Sequence, residues 1–185
     1  MSERELVRSA VGVYGTLIAA AAAWMWYRDL PVGRVLVREP WAPLWQEVLV
    51  GVGVGLLVVG LGWLGSRYVE SVRRLEGELK RLVPRLTGRG VTWLAVTSSV
   101  GEEIFFRGAM QDVAGLWVTA GVFAIAHGFF ERKFLLWMVF AGVVGLGFGL
   151  MTEWYGGILS PVVAHFTINY VNLHRLNRKT EGRSL

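Results

Sequence analysis

Six residues of this chain combine side-chain types and spacings that could do chemistry: Glu102, Glu103, Arg107, His127, His165 and Asn169. All six lie in strongly apolar stretches, where an ionisable group is costly unless it is paired or hydrated, so each is a functional candidate. In "VGEEIFFRGAM", Glu103 and Arg107 are four residues apart, with the carboxylate N-terminal to the cation, the arrangement of a neutralising helical salt bridge. Glu102 lies about 100° further round the helix and is left to point elsewhere. Of the three histidines, His174 falls in a polar tail, while His127 in "FAIAH" and His165 in "HFTIN" sit in apolar segments. His165 and Asn169, again four apart, present an imidazole and a carboxamide on one helix face. A poorly solvated carboxylate beside imidazoles is suited to moving protons, and imidazole and amide N–H groups can both donate to one developing negative oxygen. A lone helical histidine is ordinarily a packed residue bonded to a carbonyl. Two histidines, a free glutamate and an asparagine from three segments argue jointly for a site.

These side chains need helices to carry them. A membrane-crossing helix takes roughly 20 mostly apolar residues, and six stretches qualify: Ala10–Tyr27, Leu44–Gly65, Val91–Gln111, Ala114–Phe129, Phe134–Trp154 and Gly157–Leu173. Counted from the outer helix ends at about 1.5 Å per residue, Glu102 lies about 13 Å deep, His127 about 20 Å and His165 about 12 Å. A meeting inside the bilayer is geometrically reasonable. The expected fold is all-α: a polytopic transmembrane bundle of about six spans. An amphipathic cytoplasmic helix joins spans two and three, because Val69, Val72, Leu75, Leu79 and Leu82 recur at three- and four-residue intervals among basic residues. That helix reads as a connector, with substrate docking as its alternative use. Small residues at four-residue spacing, Gly51/Gly55 and Gly145/Gly149, allow close helix contact.

Composition supports the membrane reading. Hydrophobic residues make up 54% and charged residues only 18%, with a mean hydropathy of +0.46, too apolar for a soluble surface of this length. The net charge of +5 would suit nucleic acid, but no basic run carries interleaved aromatics, so no nucleic-acid partner is expected. Cysteine is absent, which excludes thiol catalysis, disulfides and a cysteine zinc site. Fifteen of the nineteen Lys and Arg residues fall at the start of the chain, in 66–90, at Arg132 and Lys133, or in the tail. With both termini inside, all fifteen face the cytoplasm and only Arg28, Arg34, Arg38 and Arg107 do not. "AAAAAW" offers a signal-peptide-like cleavage site, but Glu3, Glu5 and the aromatic "WMWY" favour a retained span. A proton-coupled transporter would also bury Glu and His, yet no repeated halves or broken helices stand out.

"EEIFFR" fits E-E-x-x-x-R, "FAIAH" fits F-x-x-x-H and "HFTIN" fits H-x-x-x-N, in that order. Together with "FFRG" and "ILSPVVAHFTINYVN", they resemble the CAAX prenyl protease and bacteriocin-processing family (CPBP, or Abi) of glutamic-type intramembrane endopeptidases. The resemblance implies one membrane domain over 1–185. Residues 10–90 are its variable spans and connector, 91–173 its catalytic core and 174–185 a polar cytoplasmic tail. It implies Glu102 as general base, His127 holding and activating water, His165 and Asn169 stabilising the oxyanion, and Glu103 and Arg107 bracing them. No cofactor is expected. A zinc variant would instead use Glu102, His127 and His165 as ligands with Glu103 as base, although no H-E-x-x-H helix is present. A non-proteolytic scaffold or immunity partner is the remaining alternative. Expected partners are membrane lipid and a protein or peptide substrate: a C-terminal sorting tail, a leader peptide or a CAAX tail. Expected residence is the cytoplasmic membrane of a bacterium.

Overall fold

A computed structural model describes residues 2–30, 42–128 and 131–181, with side chains to residue 177. The described residues form helices and short connections, with no strand among them: α1 (Glu3–Tyr27), α2 (Leu44–Tyr68), α3 (Glu70–Leu82), α4 (Gly88–Glu103), a π-helical segment (Ile104–Met110), α5 (Gln111–His127), a 3-10 turn (Arg132–Phe134), α6 (Leu135–Tyr155) and α7 (Leu159–Glu181). The helix ends follow local chemistry. Ser2 and Glu5 form a reciprocal capping box that starts α1, and the Thr87 hydroxyl accepts from the Gly90 N–H to start α4. Gly156 takes the left-handed conformation (φ 72°) that closes α6.

Among the described residues, four helical runs are long and apolar enough to cross a membrane: Glu3–Tyr27, Leu44–Tyr68, Gly88–His127 and Arg132–Tyr155. The third, 40 residues long, is folded. Gly115 breaks it with φ 76° and ψ 170°, a conformation open to glycine and strained for other residues. Beyond it the chain doubles back, so that the Phe106 and Phe123 rings meet at 5.0 Å and Glu102 faces His127. The returning arm, Leu116–His127, is only about 18 Å long, well short of a hydrocarbon core of about 30 Å. The expected full span Ala114–Phe129 is therefore a half-length arm, and Phe129 lies outside the described residues. Six full spans are not reproduced. The last expected span lies in α7, whose polar Asn169, Asn172, Arg175 and Asn177 keep it out of the qualifying set; the helix runs on through the expected tail to Glu181.

Glycines set the closest helix approaches. α2 runs parallel to α7, and a Cβ at Gly51 would sit 2.7 Å from the Ser160 carbonyl oxygen, one at Gly55 2.6 Å from Thr167 Cβ. Across the bundle, a Cβ at Gly145 would press on Phe123 and Arg107, and one at Gly149 on Leu116 and Gln111. Both expected glycine pairs thus mark packing seams. The carboxylate of Glu47, 3% exposed, accepts the Ser160 backbone N–H and so caps α7 from α2. Outward-facing Leu57, Leu61, Trp117, Val118 and Val143 remain exposed, an apolar girdle that suits lipid rather than water.

One end of the bundle collects the basic segments. There Glu3 accepts the Thr87 N–H and hydroxyl, Asn177 pairs with the Leu86 backbone, and Arg175 reaches Ser66 and Glu76. The same end holds α3, whose Leu75 is buried under it. Glu70 takes hydrogen bonds from Arg73 and Arg74, and these guanidinia hold its carboxyl below the usual range. Arg34 and Arg38, expected on the opposite side, and the tail beyond Glu181, with Arg183, lie outside the described residues.

Candidate active site

The site is built where the α4–π hairpin crosses α5, α6 and α7. α4 ends at Glu103 and passes into the π-helical turns Ile104–Met110, a widening that recurs at functional sites. The sequence pattern did not reveal this change of pitch. At its start, Glu102 and Glu103 leave the helix in different directions and meet different partners, as their 100° offset requires.

Glu103 is completely buried. Its Oε1 accepts from Arg107 Nη1 at 3.2 Å and lies 2.7 Å from His165 Nδ1. The Arg107 guanidinium also donates to the Gly145 carbonyl at 3.0 Å, and its centre lies 4.4 Å from the Phe123 ring centroid and 5.5 Å from that of Phe148. Buried charges persist only when paired and hydrogen-bonded; here the carboxylate, the guanidinium, the Gly145 carbonyl and aromatic faces supply most of those contacts, while Glu103 Oε2 and Arg107 Nε have no hydrogen-bond partner. Gly145 is small enough to let the guanidinium reach the α6 backbone. The expected Glu103–Arg107 pair is present, and His165 joins it.

Glu102, 8% exposed, faces the other imidazole: its Oε2 lies 3.6 Å from His127 Nε2, too far for a direct hydrogen bond, and that oxygen has no hydrogen-bond partner. The Tyr14 hydroxyl of α1 hydrogen-bonds the Glu102 carboxylate, while the Tyr14 Cβ would lie 2.8 Å from a Cβ at Gly101. Gly101 therefore lets α1 close over the site. His127 Nδ1 lies 2.8 Å from the Phe123 carbonyl oxygen, and the two rings are 4.3 Å apart.

The partners fix both tautomers. A carbonyl only accepts, so His127 Nδ1 carries the hydrogen; a carboxylate already paired with Arg107 likewise accepts from His165 Nδ1. Each imidazole therefore presents Nε2 for other work. Asn169 donates one Nδ2 hydrogen to Ser98 Oγ at 2.9 Å, and Ser98 passes its own hydrogen to the Leu94 carbonyl. That leaves the second amide hydrogen of Asn169 to donate elsewhere.

Five of the six expected residues thus gather near the α4–α5–α7 crossing in two groups rather than one, and Asn169, one turn beyond His165, bonds Ser98 instead. Glu102 meets His127, whereas His165 binds the neighbouring Glu103. Among the described residues no group of three His, Asp or Glu side chains is gathered so that it could hold a metal ion. Sequence reasoning missed Tyr14, Ser98 and the aromatic box around Arg107. Tyr14 carries no signal, being one aromatic in a generic apolar helix; Phe123 heads the "FAIAH" motif, but spacing alone does not place it against Arg107.

Comparison with known proteins bears on this constellation. A family model described as type II CAAX prenyl endopeptidase Rce1-like matches residues 89–171, which include all six expected residues and leave out Tyr14 and Glu47. A Bacillus subtilis (strain 168) protein named "Uncharacterized protein YpbD" is 35% identical over 157 residues, covering 83% of this chain and 79% of its own. No solved structure gives a significant match.

Proposed function

The chain belongs to the Rce1-like CAAX prenyl endopeptidase family, a membership that implies a peptidase of the CAAX-protease type, and from it we propose an intramembrane endopeptidase in which Glu102 and His127 activate water. The observation that carries this reading is the gap between them. With Nδ1 of His127 committed to a carbonyl, its neutral Nε2 is an acceptor; the ionised Glu102 Oε2 opposite is also an acceptor, buried and without a partner. Two acceptors 3.6 Å apart are satisfied together by a molecule with two hydrogens to donate. Water in that position gives one hydrogen to each and turns a lone pair outward as the nucleophile. Glu102 takes the proton as the water oxygen adds to a peptide carbonyl, and returns it to the departing amine.

His165 and Asn169 lie one helical turn apart on α7 and would face the oxyanion. The free Nδ2 hydrogen of Asn169 donates to it directly, and His165 does so when Nε2 carries a proton. Glu103 and Arg107 take no part in bond making; they fix the His165 ring and the hairpin. The basic end of the bundle would face the cytoplasm, and the host membrane would be that of a bacterium. Membrane lipid and a membrane-anchored protein or peptide are the partners, the peptide being a leader peptide, a C-terminal sorting tail or a CAAX tail. No cofactor is required.

The test compares membrane and secreted proteomes of cells carrying wild-type protein or Glu102→Ala, together with cleavage of the identified substrate by purified protein in detergent. The expected result is an uncut membrane-anchored substrate that accumulates in the variant and is cut by wild type after thorough chelation. Unchanged processing by Glu102→Ala would overturn the assignment, and loss on chelation restored by zinc would replace it with metal hydrolysis.

A further inference from the structure

A groove of about 630 Å³ opens at the basic end of the bundle, between α3 and the first turn of α6. Arg74, Arg81, Arg132 and Lys133 line it, with Glu78 as the one carboxylate, over a floor that includes Leu75 and Leu136. We propose that this groove binds the phosphodiester head group of one anionic phospholipid.

Charge, size and position each point to that occupant. Glu78 lies 2.7 Å from Arg81 Nη1 and 3.7 Å from Lys133 Nζ, so one carboxylate draws cations from both walls together and neutralises only one. Arg73 and Arg74 divide a single carboxylate, Glu70, and Lys133 also takes Glu131. Counting these neighbours, five cations still face three acids. Cavities of roughly 300–1,000 Å³ hold molecules of small-ligand size, which admits a head group with its glycerol and excludes a folded partner.

The floor then separates a lipid from a soluble phosphate. Leu136 opens an outward stripe on α6 that continues through Val139 and Val143, all exposed and spaced three and four residues apart along one face. An acyl chain can descend that stripe while its phosphate stays among the cations, at the level where head groups meet basic pockets between helices. A free phosphate would match the cations and leave the stripe unused. The groove also adjoins the site: Trp137, in the same turn of α6, has its ring 6.0 Å from that of His127. A bound lipid would tie α3 to the turn that follows His127.

Native mass spectrometry of the full chain, released from detergent with phosphatidylglycerol or phosphatidylcholine of identical acyl chains, tests the proposal without any assay of proteolysis. Wild type should retain phosphatidylglycerol preferentially, and the triple variant R74Q/R132Q/K133Q should lose that preference by roughly ten-fold or more. R4Q/R8Q, at the start of α1 and outside the groove, should leave it intact. Glu78→Gln, which removes the competing carboxylate, should raise retention. Equal losses in the triple and R4Q/R8Q variants, or lower retention in Glu78→Gln, would overturn the site. Glycerol 3-phosphate in millimolar excess should fail to displace the lipid; full displacement would make the groove a soluble-phosphate site and overturn the lipid assignment.

Discussion

Glu102 and Glu103 are chemically identical neighbours in different surroundings, and the roles proposed for them rest on that difference. Glu103 is ion-paired with Arg107 and bonded to His165 through one oxygen, whereas Glu102 turns an oxygen toward the His127 imidazole, 3.6 Å away; each carboxylate keeps one buried oxygen without a hydrogen-bond partner. The same conservative change should therefore read out differently at each. Glu102→Gln should abolish cleavage and leave the unfolding midpoint in detergent unchanged. Glu103→Gln strips a buried guanidinium of its counter-charge, a loss of about 3–5 kcal/mol, or roughly 6–20 °C in midpoint for a chain of this size. Equal midpoints for the two variants would count against the division of labour. Tyr14→Phe should lower the cleavage rate by about ten-fold or more, from loss of a hydrogen bond to a charged group, without unfolding the protein; full activity would make the contact incidental. The helical offset of Glu102 from Glu103 could be read from spacing alone, and so could the Glu103–Arg107 pair. The attachment of His165 to Glu103 could not, because it depends on how far α7 is rotated toward α4.

At the scale of elements, α7 carries two of the site residues and is located by what other helices offer it. Glu47 caps its first turn from α2, and Gly51 and Gly55 let the two backbones close together. Valine at Gly51 should overpack this seam at a cost of about 1–3 kcal/mol and lower the unfolding midpoint. Alanine at Gly53, where a Cβ meets nothing within 4 Å, should be neutral or slightly stabilising, given glycine's poor helix propensity. A larger loss at Gly53 than at Gly51 would mean that the seam is misplaced. The four-residue glycine spacing signalled this close packing in advance. The half-length α5 arm was hidden, since hydropathy reports how apolar a stretch is and not whether one glycine with positive φ folds it back.

For the whole molecule, the uneven distribution of charge is the feature that orients it. α3, the α5–α6 turn and the helix ends around Glu3, Leu86 and Arg175 gather at one end, while Glu47, Asp112 and Glu153 lie toward the other. The natural chain has no cysteine, so single cysteines report cleanly. Cysteine at Ser71 should resist a membrane-impermeant maleimide added to intact cells, and cysteine at Asp112 should react. The reverse pattern would invert the proposed topology.

The amino-acid sequence on its own determined that the chain is an all-helical membrane protein and which six side chains to watch, because burial cost and helical periodicity are local properties of residue type and spacing. The tertiary structure alone decided the partners. It set His127 against Glu102 and His165 against Glu103, brought Tyr14 in from the first helix and shaped the cationic groove beneath α3. Those contacts join residues far apart along the chain, and their geometry depends on helix rotation, depth and the fold at Gly115, which no local pattern encodes.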